Sequence, residues 1–291
     1  MTGPMDPTRD ERIGPTAHYT AYVWKRLGLP HAELFATPRG ARLFWSFRAA
    51  GEWTAAASRR VPSMEQYLGL RHRLIEAALD EHAPDHVVEL GAGLSRRGLT
   101  WAADRAVPFT EIDLPHMARA KRALLAGASP EVRPRAEAHL RIEEGDVLDP
   151  ALGDRLRSLL AGARRPAVVA EGLVGYFASD ERLRILRSVH EGLSGASDGI
   201  FLCDLRTRDA GQRLGPAVKA MRLGIRLVTR GRGIRSDFAD DAEVRAFFTQ
   251  GGFAQADKLD ASRLPDLAHL PFPSAVWRAR PAAAVPGAAG S

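Results

Sequence analysis

Two glycines and a series of acids, set at the ends of short apolar runs, are where this sequence could do chemistry. Gly91 and Gly93 follow His86-Val87-Val88-Glu89-Leu90. A Gly-Ala-Gly turn lets the backbone bend sharply and come close to a ligand, because no Cβ stands in the way. A dinucleotide site needs a third glycine at the sixth position, so that a helix can present its N-terminus to a pyrophosphate. Arg96 occupies that position. The shorter pattern, after the acidic strand residue Glu89, suits a nucleoside without a pyrophosphate. About twenty residues further on, Asp113 closes a second run, where a carboxylate accepts both hydroxyl protons of a ribose. Asp146 closes a third, placed to receive an adenine amino group or to fix its own loop. Glu171 closes a fourth and leads into Gly172-Leu173-Val174-Gly175-Tyr176-Phe177. Glycines and acids at successive strand ends make an adenosyl cradle; the competing account is that such acids only cap the helices that follow.

The elements that must position these groups alternate. Short apolar runs at 86–90, 108–113, 140–146, 167–171 and 199–204 predict five strands. Helical patterns separate them: Leu99 to Asp104, His116 to Leu125, Ala151 to Leu160 and Ser179 to Leu193. Strand–helix alternation at this period means βαβ units and a parallel sheet, whose ligands lie beyond the carboxyl ends of the strands. Phe253 to Leu259 and Ser274 to Ala279 predict two final strands, giving an α/β, doubly wound, mostly parallel seven-stranded sheet over residues 81–280. Residues 16–80 read as an N-terminal helical lid or cap, with Tyr19, Tyr22, Val23 and Leu27 at helical spacing and Gly28 and Pro30 as a stop. An insertion at 206–248, after the fifth strand, is expected to hang over the ligand edge as part of the lid. Residues 1–15 and the Ala/Pro/Gly-rich tail 281–291 are expected to be disordered.

Composition narrows the class. The 291 residues are 45% hydrophobic and 26% charged, ordinary values for a globular protein able to bury a large core. One cysteine, Cys203, excludes a disulfide framework and a cysteine-based zinc site, and fits a reducing cytoplasm. No metal-spaced histidine cluster stands out, and no metal is expected. No run is apolar and long enough for a membrane span, and the first residues lack the apolar stretch of a secretory signal. The net charge of +6 invites a nucleic-acid partner, but only four of the 41 basic residues are lysines and the arginines are scattered among 35 acids. Dispersed charges of this kind form a solvated face.

Three ordered segments resemble the signature motifs of the leucine carboxyl methyltransferase superfamily. They are Glu89-Leu90-Gly91-Ala92-Gly93-Leu94-Ser95-Arg96-Arg97-Gly98, then Glu111-Ile112-Asp113-Leu114-Pro115 with Lys121 beyond it, and Glu171-Gly172-Leu173-Val174-Gly175-Tyr176-Phe177. The opening Thr16-Ala17-His18-Tyr19-Thr20-Ala21-Tyr22-Val23-Trp24 is similar to the tetracenomycin-type polyketide O-methyltransferase branch. The similarity spans about Thr16 to Arg280. It implies a class I, Rossmann-like methyltransferase fold and S-adenosylmethionine as cofactor. By motif match it implies that Gly91 and Gly93 line the methionine part, that Asp113 holds the ribose and that Asp146 lies by the adenine, with Glu89 and Val147 also among the cofactor-binding residues. Glu171 and Tyr176 then border cofactor and acceptor. It also implies an arginine on the helix before the first strand as ligand of the cofactor carboxylate. Arg71 matches best and Arg73 is second; a bidentate guanidinium–carboxylate pair explains the residue type. One departure stands out. Many members carry Asp-Thr-Arg after Gly-Leu, whereas this chain has Ser95-Arg96-Arg97, which weakens transfer of methylation at a protein C-terminal leucine.

Methyl transfer needs an oxygen aligned behind an already electrophilic carbon. A carboxylate acceptor needs no base; a phenol needs one within hydrogen-bond reach. His18, Tyr19 and Tyr176 are the candidates, His18 being the usual titrating choice. The expectation is an O-methyltransferase of a small, aromatic natural-product acid or phenol, with a second copy of the chain as the only macromolecular partner kept open. The rivals are carboxyl methylation of a protein C-terminus, a nicotinamide-dependent reductase and a basic nucleic-acid-binding module. Arg96 and a missing Tyr-x-x-x-Lys pair argue against the reductase, and the dispersed arginines against the binding module.

Overall fold

The computed structural model describes residues 7–49, 62–208, 238–266 and 274–282. Its centre is a seven-stranded mixed sheet. The strands are β1 (His86–Leu90), β2 (Phe109–Asp113), β3 (Leu140–Glu144), β4 (Pro166–Ala170), β5 (Ile200–Leu205), β6 (Phe253–Lys258) and β7 (Ala275–Pro281), in the order β3-β2-β1-β4-β5-β7-β6. The first five pair in parallel, and β7 runs antiparallel between β5 and β6. β4 and β5 are buried along their whole length, as expected for parallel strands covered on both faces.

Alternation along the strands sorts the core into two layers. Val88, Val168, Phe201 and Cys203 face one side. There they meet the helices α8 (Leu152–Leu159), α9 (Ser179–Leu193) and α10 (Asp241–Gln250) through Leu156, Ile185, Val189 and Phe248. Their neighbours Val87, Ala167, Val169 and Leu202 face the other, against Leu70, Leu74 and Ile75 of α4 (Met64–His82) and Trp101 of α5 (Arg97–Arg105). A period of two in the strands, matched to one apolar stripe per helix, dictates this sandwich. α6 (Pro115–Leu125) and α7 (Arg133–His139) complete the β2–β3 crossover.

The N-terminal helices form a cap with its own apolar cluster. α1 (Pro7–Arg26), α2 (Ala32–Phe35) and α3 (Pro38–Phe47) enclose Tyr19, Val23, Trp24 and Phe44, joined by Tyr67 and Leu68 from α4. A second cluster ties Ala21 and Phe35 to Leu94, Leu99 and Met117 of the sheet domain. α4 starts on a capping box, with the Ser63 hydroxyl accepting from the Gln66 amide and the Gln66 side chain accepting from the Ser63 amide.

Some boundaries differ from the sequence expectation. β3 ends at Glu144, so Asp146 stands in the loop beyond the strand, and Glu171 is likewise the first residue past β4. α7 has no counterpart in the sequence reading, because seven residues with Pro134 near the start show little periodicity. α1 begins at Pro7, inside the stretch set aside as a disordered leader. Gly14-Pro15 looks like a helix stop, yet Pro15 sits within the helix, where it forfeits one backbone hydrogen bond. The lid insertion expected at 206–248 falls largely outside the described residues, as does the tail beyond 282. Among the described residues no helix is long and apolar enough to cross a membrane.

Candidate active site

The carboxyl ends of β1, β2, β4 and β5 meet on one edge of the sheet. Gly91 and Gly93 leave β1 with φ of +61° and +55°, backbone angles that an L side chain rarely adopts. The turn is closed by Asp113, whose Oδ2 accepts from the Gly93 amide at 2.6 Å while Oδ1 accepts from the Leu114 amide at 2.7 Å. Burial pushes this carboxyl upward and the two amide bonds pull the other way; the net shift is upward. α1 lies over the turn: a Cβ on Gly93 would stand 3.1 Å from the Ala17 Cβ.

Behind the turn is a buried ion network centred on Arg97. Its guanidinium reaches Glu76 on α4 at 2.7 Å, Glu171 at 2.6 Å, and Glu89 on β1. Glu171 also accepts from Arg71 Nε at 3.0 Å and pairs with His72 Nδ1 at 2.9 Å. Arg71 Nη1 then reaches Asp204 of β5 at 3.3 Å, and the other oxygen of Asp204 accepts from the Gly172 amide at 2.5 Å. Arg96 adds a second cation on Glu76 at 3.0 Å. Three guanidinium groups thus face four carboxylates, one acid in excess.

Titration follows that imbalance. Burial, with Glu111 directly across from Glu89 on β2, outweighs Arg97 and pushes the Glu89 carboxyl up to about 7. Burial would raise Glu171 as well, but His72, Arg97 and Arg71 together hold it well below the usual range. Burial and then Arg97 lower His72, which favours a neutral ring. Burial alone would lower Arg71; Asp204 and Glu171 overcome it and keep the guanidinium charged. Lys121 on α6 and Glu111 form a separate buried pair at 2.5 Å.

The sequence-derived residues fall into three groups. Glu89, Gly91, Gly93, Asp113, Glu171 and Arg71 converge on the strand ends. Tyr176 joins them: its hydroxyl bonds Thr16 of α1, burial pushes its pKa up, and Arg71 opposes the shift. Asp146 and Val147 occupy the loop after β3. Asp146 Oδ1 accepts from the Leu148 amide at 2.9 Å, fixing its own loop, and Val147 is buried beside it. His18 and Tyr19 follow Ala17 on α1. His18 Nδ1 pairs with Thr37 Oγ1 at 2.8 Å where α1 meets α3, and Tyr19 packs its ring 5.5 Å from Phe47 and 5.9 Å from Phe44. Arg73 is directed away, onto exposed Asp266 at 2.6 Å, since residues two apart on a helix face different sides.

Four residues of this edge were not singled out as site residues from the sequence. Asp204 is the penultimate residue of β5, and the strand-end rule that found Asp113 applies to it equally. Arg97 stands in the sequence only as a motif match; its three carboxylates come from α4, β1 and the β4 end, and no local pattern shows that. His72 sits beside Arg71 with its ring stacked 4.3 Å from Trp24 of α1. Arg206, just past β5, carries no local signal. Among the described residues, no group of three His, Cys, Asp or Glu side chains could hold a metal ion.

The sequence profile of leucine carboxyl methyltransferases matches residues 29–190, more than half of the chain. This chain belongs to the leucine carboxyl methyltransferase family. It is a methyltransferase with the class I, Rossmann-like fold. No curated protein is significantly similar to it in sequence. Solved structures share the fold at low identity. A Nostoc punctiforme protein assigned as an O-methyltransferase has a TM-score of 0.50 at 13% identity, over 79% of this chain and 67% of its own. The S-adenosylmethionine-dependent methyltransferase SibL has 0.50 at 18%, over 83% and 69%. The pyocyanin biosynthetic protein PhzM has 0.50 at 18%, over 74% and 55%. In this leucine carboxyl methyltransferase family member Ser95 follows Gly93-Leu94 and accepts from the Arg97 amide at 3.2 Å, and Glu76 of α4 supplies a carboxylate to Arg96 and Arg97.

Proposed function

We propose that this methyltransferase acts on an oxygen of a small aromatic acid or phenol of the natural-product kind. One observation carries the reading. α1 lies across the strand ends, with Ala17 against Gly93 and Thr16 bonded to Tyr176, so the acceptor must fit beneath a helix. A flat small molecule suits such an enclosure better than a protein tail. The loss of the acid at Ser95 points the same way.

The chain's residues divide the work. S-adenosylmethionine brings an electrophilic methyl carbon, so the protein's task is alignment and exclusion of water. The turn at Gly91–Gly93 allows close backbone approach. Asp113 keeps acceptor capacity beyond its two amide bonds, enough for ribose hydroxyls. Val147 offers an apolar wall to a purine, and Asp146 shapes the loop around it. Arg71 and Glu171, side by side and of opposite charge, complement the carboxylate and ammonium of an amino-acid tail. Tyr176, its pKa raised, keeps its proton and acts as a hydrogen-bond donor rather than a base.

A nucleic-acid partner is disfavoured because much of the surface arginine is spent on local acids, as in Arg155–Glu143, Arg122–Glu144 and Arg157–Glu191. The single thiol, Cys203, is buried and free, which suits a reducing cytoplasm. The test uses S-adenosylmethionine with a labelled methyl group, offered with aromatic acids, with phenols, or with peptides ending in leucine. Label in the small aromatic products supports the reading, and label confined to the peptides overturns it. In parallel, S-adenosylmethionine at a hundredfold over its Kd should stabilise the fold by about 2.7 kcal/mol, whereas NADPH or an oligonucleotide should not.

A further inference from the structure

Glu89 is the one carboxylate of the network around Arg97 with an oxygen left over. The residue is 2% exposed. Arg97 engages Oε1, whereas Oε2 is buried with no hydrogen-bond partner among the described residues. Every element packed against it brings charge. From α5 comes Arg97, already shared with Glu76 of α4 and with Glu171 past β4. From β2 comes Glu111, the direct register partner of Glu89 in the parallel pair. Glu111 has its own cation, Lys121 of α6, at 2.5 Å, and feels Asp113 as a like charge. From α4 comes His72, set between Glu171 and Arg97 at 2.9 Å from each and favoured neutral. Lys121 and Glu111 balance one another, so the acid excess of the cluster rests on Glu89, whose carboxyl is pushed up to about 7. A buried carboxylate oxygen with neither a cation nor an N–H is costly, and a proton on that oxygen is the simplest remedy.

The placement of Glu89 ties this proton to the ligand. Glu89 stands two residues before the turn glycine Gly91, and through Arg97 it is linked to Glu171. The methyl donor and the product it becomes differ by one charge. S-adenosylhomocysteine carries a carboxylate and an ammonium, which Arg71 and Glu171 complement. S-adenosylmethionine carries the same two groups and a positive sulfonium besides. A positive charge added to a water-poor edge with one acid in excess favours the ionised form of that acid, and its removal favours the protonated form.

Building on the methyl-transfer reading above, we propose that Glu89 tells methyl donor from product: it carries a proton on Oε2 in the empty protein and with S-adenosylhomocysteine, and is ionised with S-adenosylmethionine. Glu89 gives the proton to solvent as the donor binds, the electron pair of the O–H bond staying on the oxygen. It takes a proton back once the sulfonium has become a neutral thioether. Glu89 acts through charge alone and touches no reacting atom, so it is a specificity residue and not a catalytic one. Raising the pH then favours donor over product, and product inhibition weakens.

Calorimetry at pH 6.5 in two buffers of different ionisation enthalpy counts the protons. That pH lies below the α-amino range of about 7.7–8.0, so the tails of both ligands stay charged. S-adenosylmethionine should release about half a proton more than S-adenosylhomocysteine from the wild type, and Glu89→Gln should abolish the difference. The ratio of the Kd for S-adenosylhomocysteine to that for S-adenosylmethionine, wild type over variant, should rise about fivefold from pH 6 to pH 8. Titration of the ligand tails is common to both proteins and cancels. Infrared difference spectra of the wild type alone should show a protonated-carboxyl band with S-adenosylhomocysteine that is lost with S-adenosylmethionine. The proposal is overturned if the two ligands release the same number of protons, if the ratio stays flat, or if no such band is lost. It also falls if Glu89→Gln keeps the proton difference, which would move the proton to another group such as His72. Failure of the underlying reading looks different: neither ligand binds.

Discussion

Asp113, at the end of β2, holds the Gly93 amide at the end of β1 across 2.6 Å. The same carboxylate therefore shapes the glycine turn and faces the space where a ribose would lie. Asp113→Asn keeps the volume but replaces one acceptor oxygen by a donor. Its Kd for S-adenosylhomocysteine should rise at least about tenfold, since a hydrogen bond to a charged group contributes about 1.5–3 kcal/mol. Calorimetry showing an unchanged Kd would remove Asp113 from the site.

Arg71 and Arg73 give opposite expectations. Arg71 lies at the strand ends between Glu171 and Asp204, whereas Arg73 is on the surface with Asp266. The wild type should prefer S-adenosylhomocysteine to methylthioadenosine, which lacks the amino-acid tail. Arg71→Met should abolish the preference and Arg73→Met should leave it intact. The reverse pattern would shift the motif match by two residues.

The excess acid around Arg97 predicts a pH dependence of stability. Glu89 is raised to about 7 in the fold from an ordinary 4.5. Between those values the folded state binds more protons than the unfolded state, so stability falls as pH rises through this window, by about 3 kcal/mol in all. Glu171 is shifted the other way, and its contribution is lost only as pH falls below the ordinary carboxylate range. Glu89→Gln, whose oxygen can still accept from Arg97, should therefore gain stability relative to wild type from pH 5 to pH 8 in urea titrations. A constant difference across that range would mean that Glu89 stays ionised.

Tyr176→Phe separates donor from base. Because burial raises the phenol pKa, its removal should lower kcat/KM without moving the pH profile between 6 and 9, and by less than the 10²- to 10⁴-fold typical of a general base. A larger loss that also abolishes the acidic limb of the profile would make Tyr176 the base.

Much of the fold was legible because it rests on local periodicity. The apolar runs gave all seven strands within a few residues, and the strand-end rule brought Gly91, Gly93, Asp113 and Glu171 to one edge. What stayed hidden depends on which way a side chain turns or on contacts distant in the chain. Arg71 and Arg73 are equivalent in composition and differ only in helix face. His18 and Tyr19 have the residue types of acid–base catalysts, and no local pattern shows that His18 bonds Thr37 or that Tyr19 packs on Phe47. Arg97 draws its partners from positions 76, 89 and 171, a set that only the assembled sheet defines.

The seating of α1 bears on traffic. Ala21 and Val23 are fully buried, and Trp24 lies flat against His72 of the ion network. Swinging the helix outward would wet each large apolar side chain at about 1.5–3 kcal/mol and would strip the cover from a buried charge cluster. Such an excursion is costly, so we expect α1 to stay seated as a wall rather than to open as a door. Its amides from Ala21 to Lys25 should exchange with deuterium as slowly as those of β1 and β4. On that expectation, cofactor and acceptor come and go past some other margin of the strand ends, with the helix in place through each turnover.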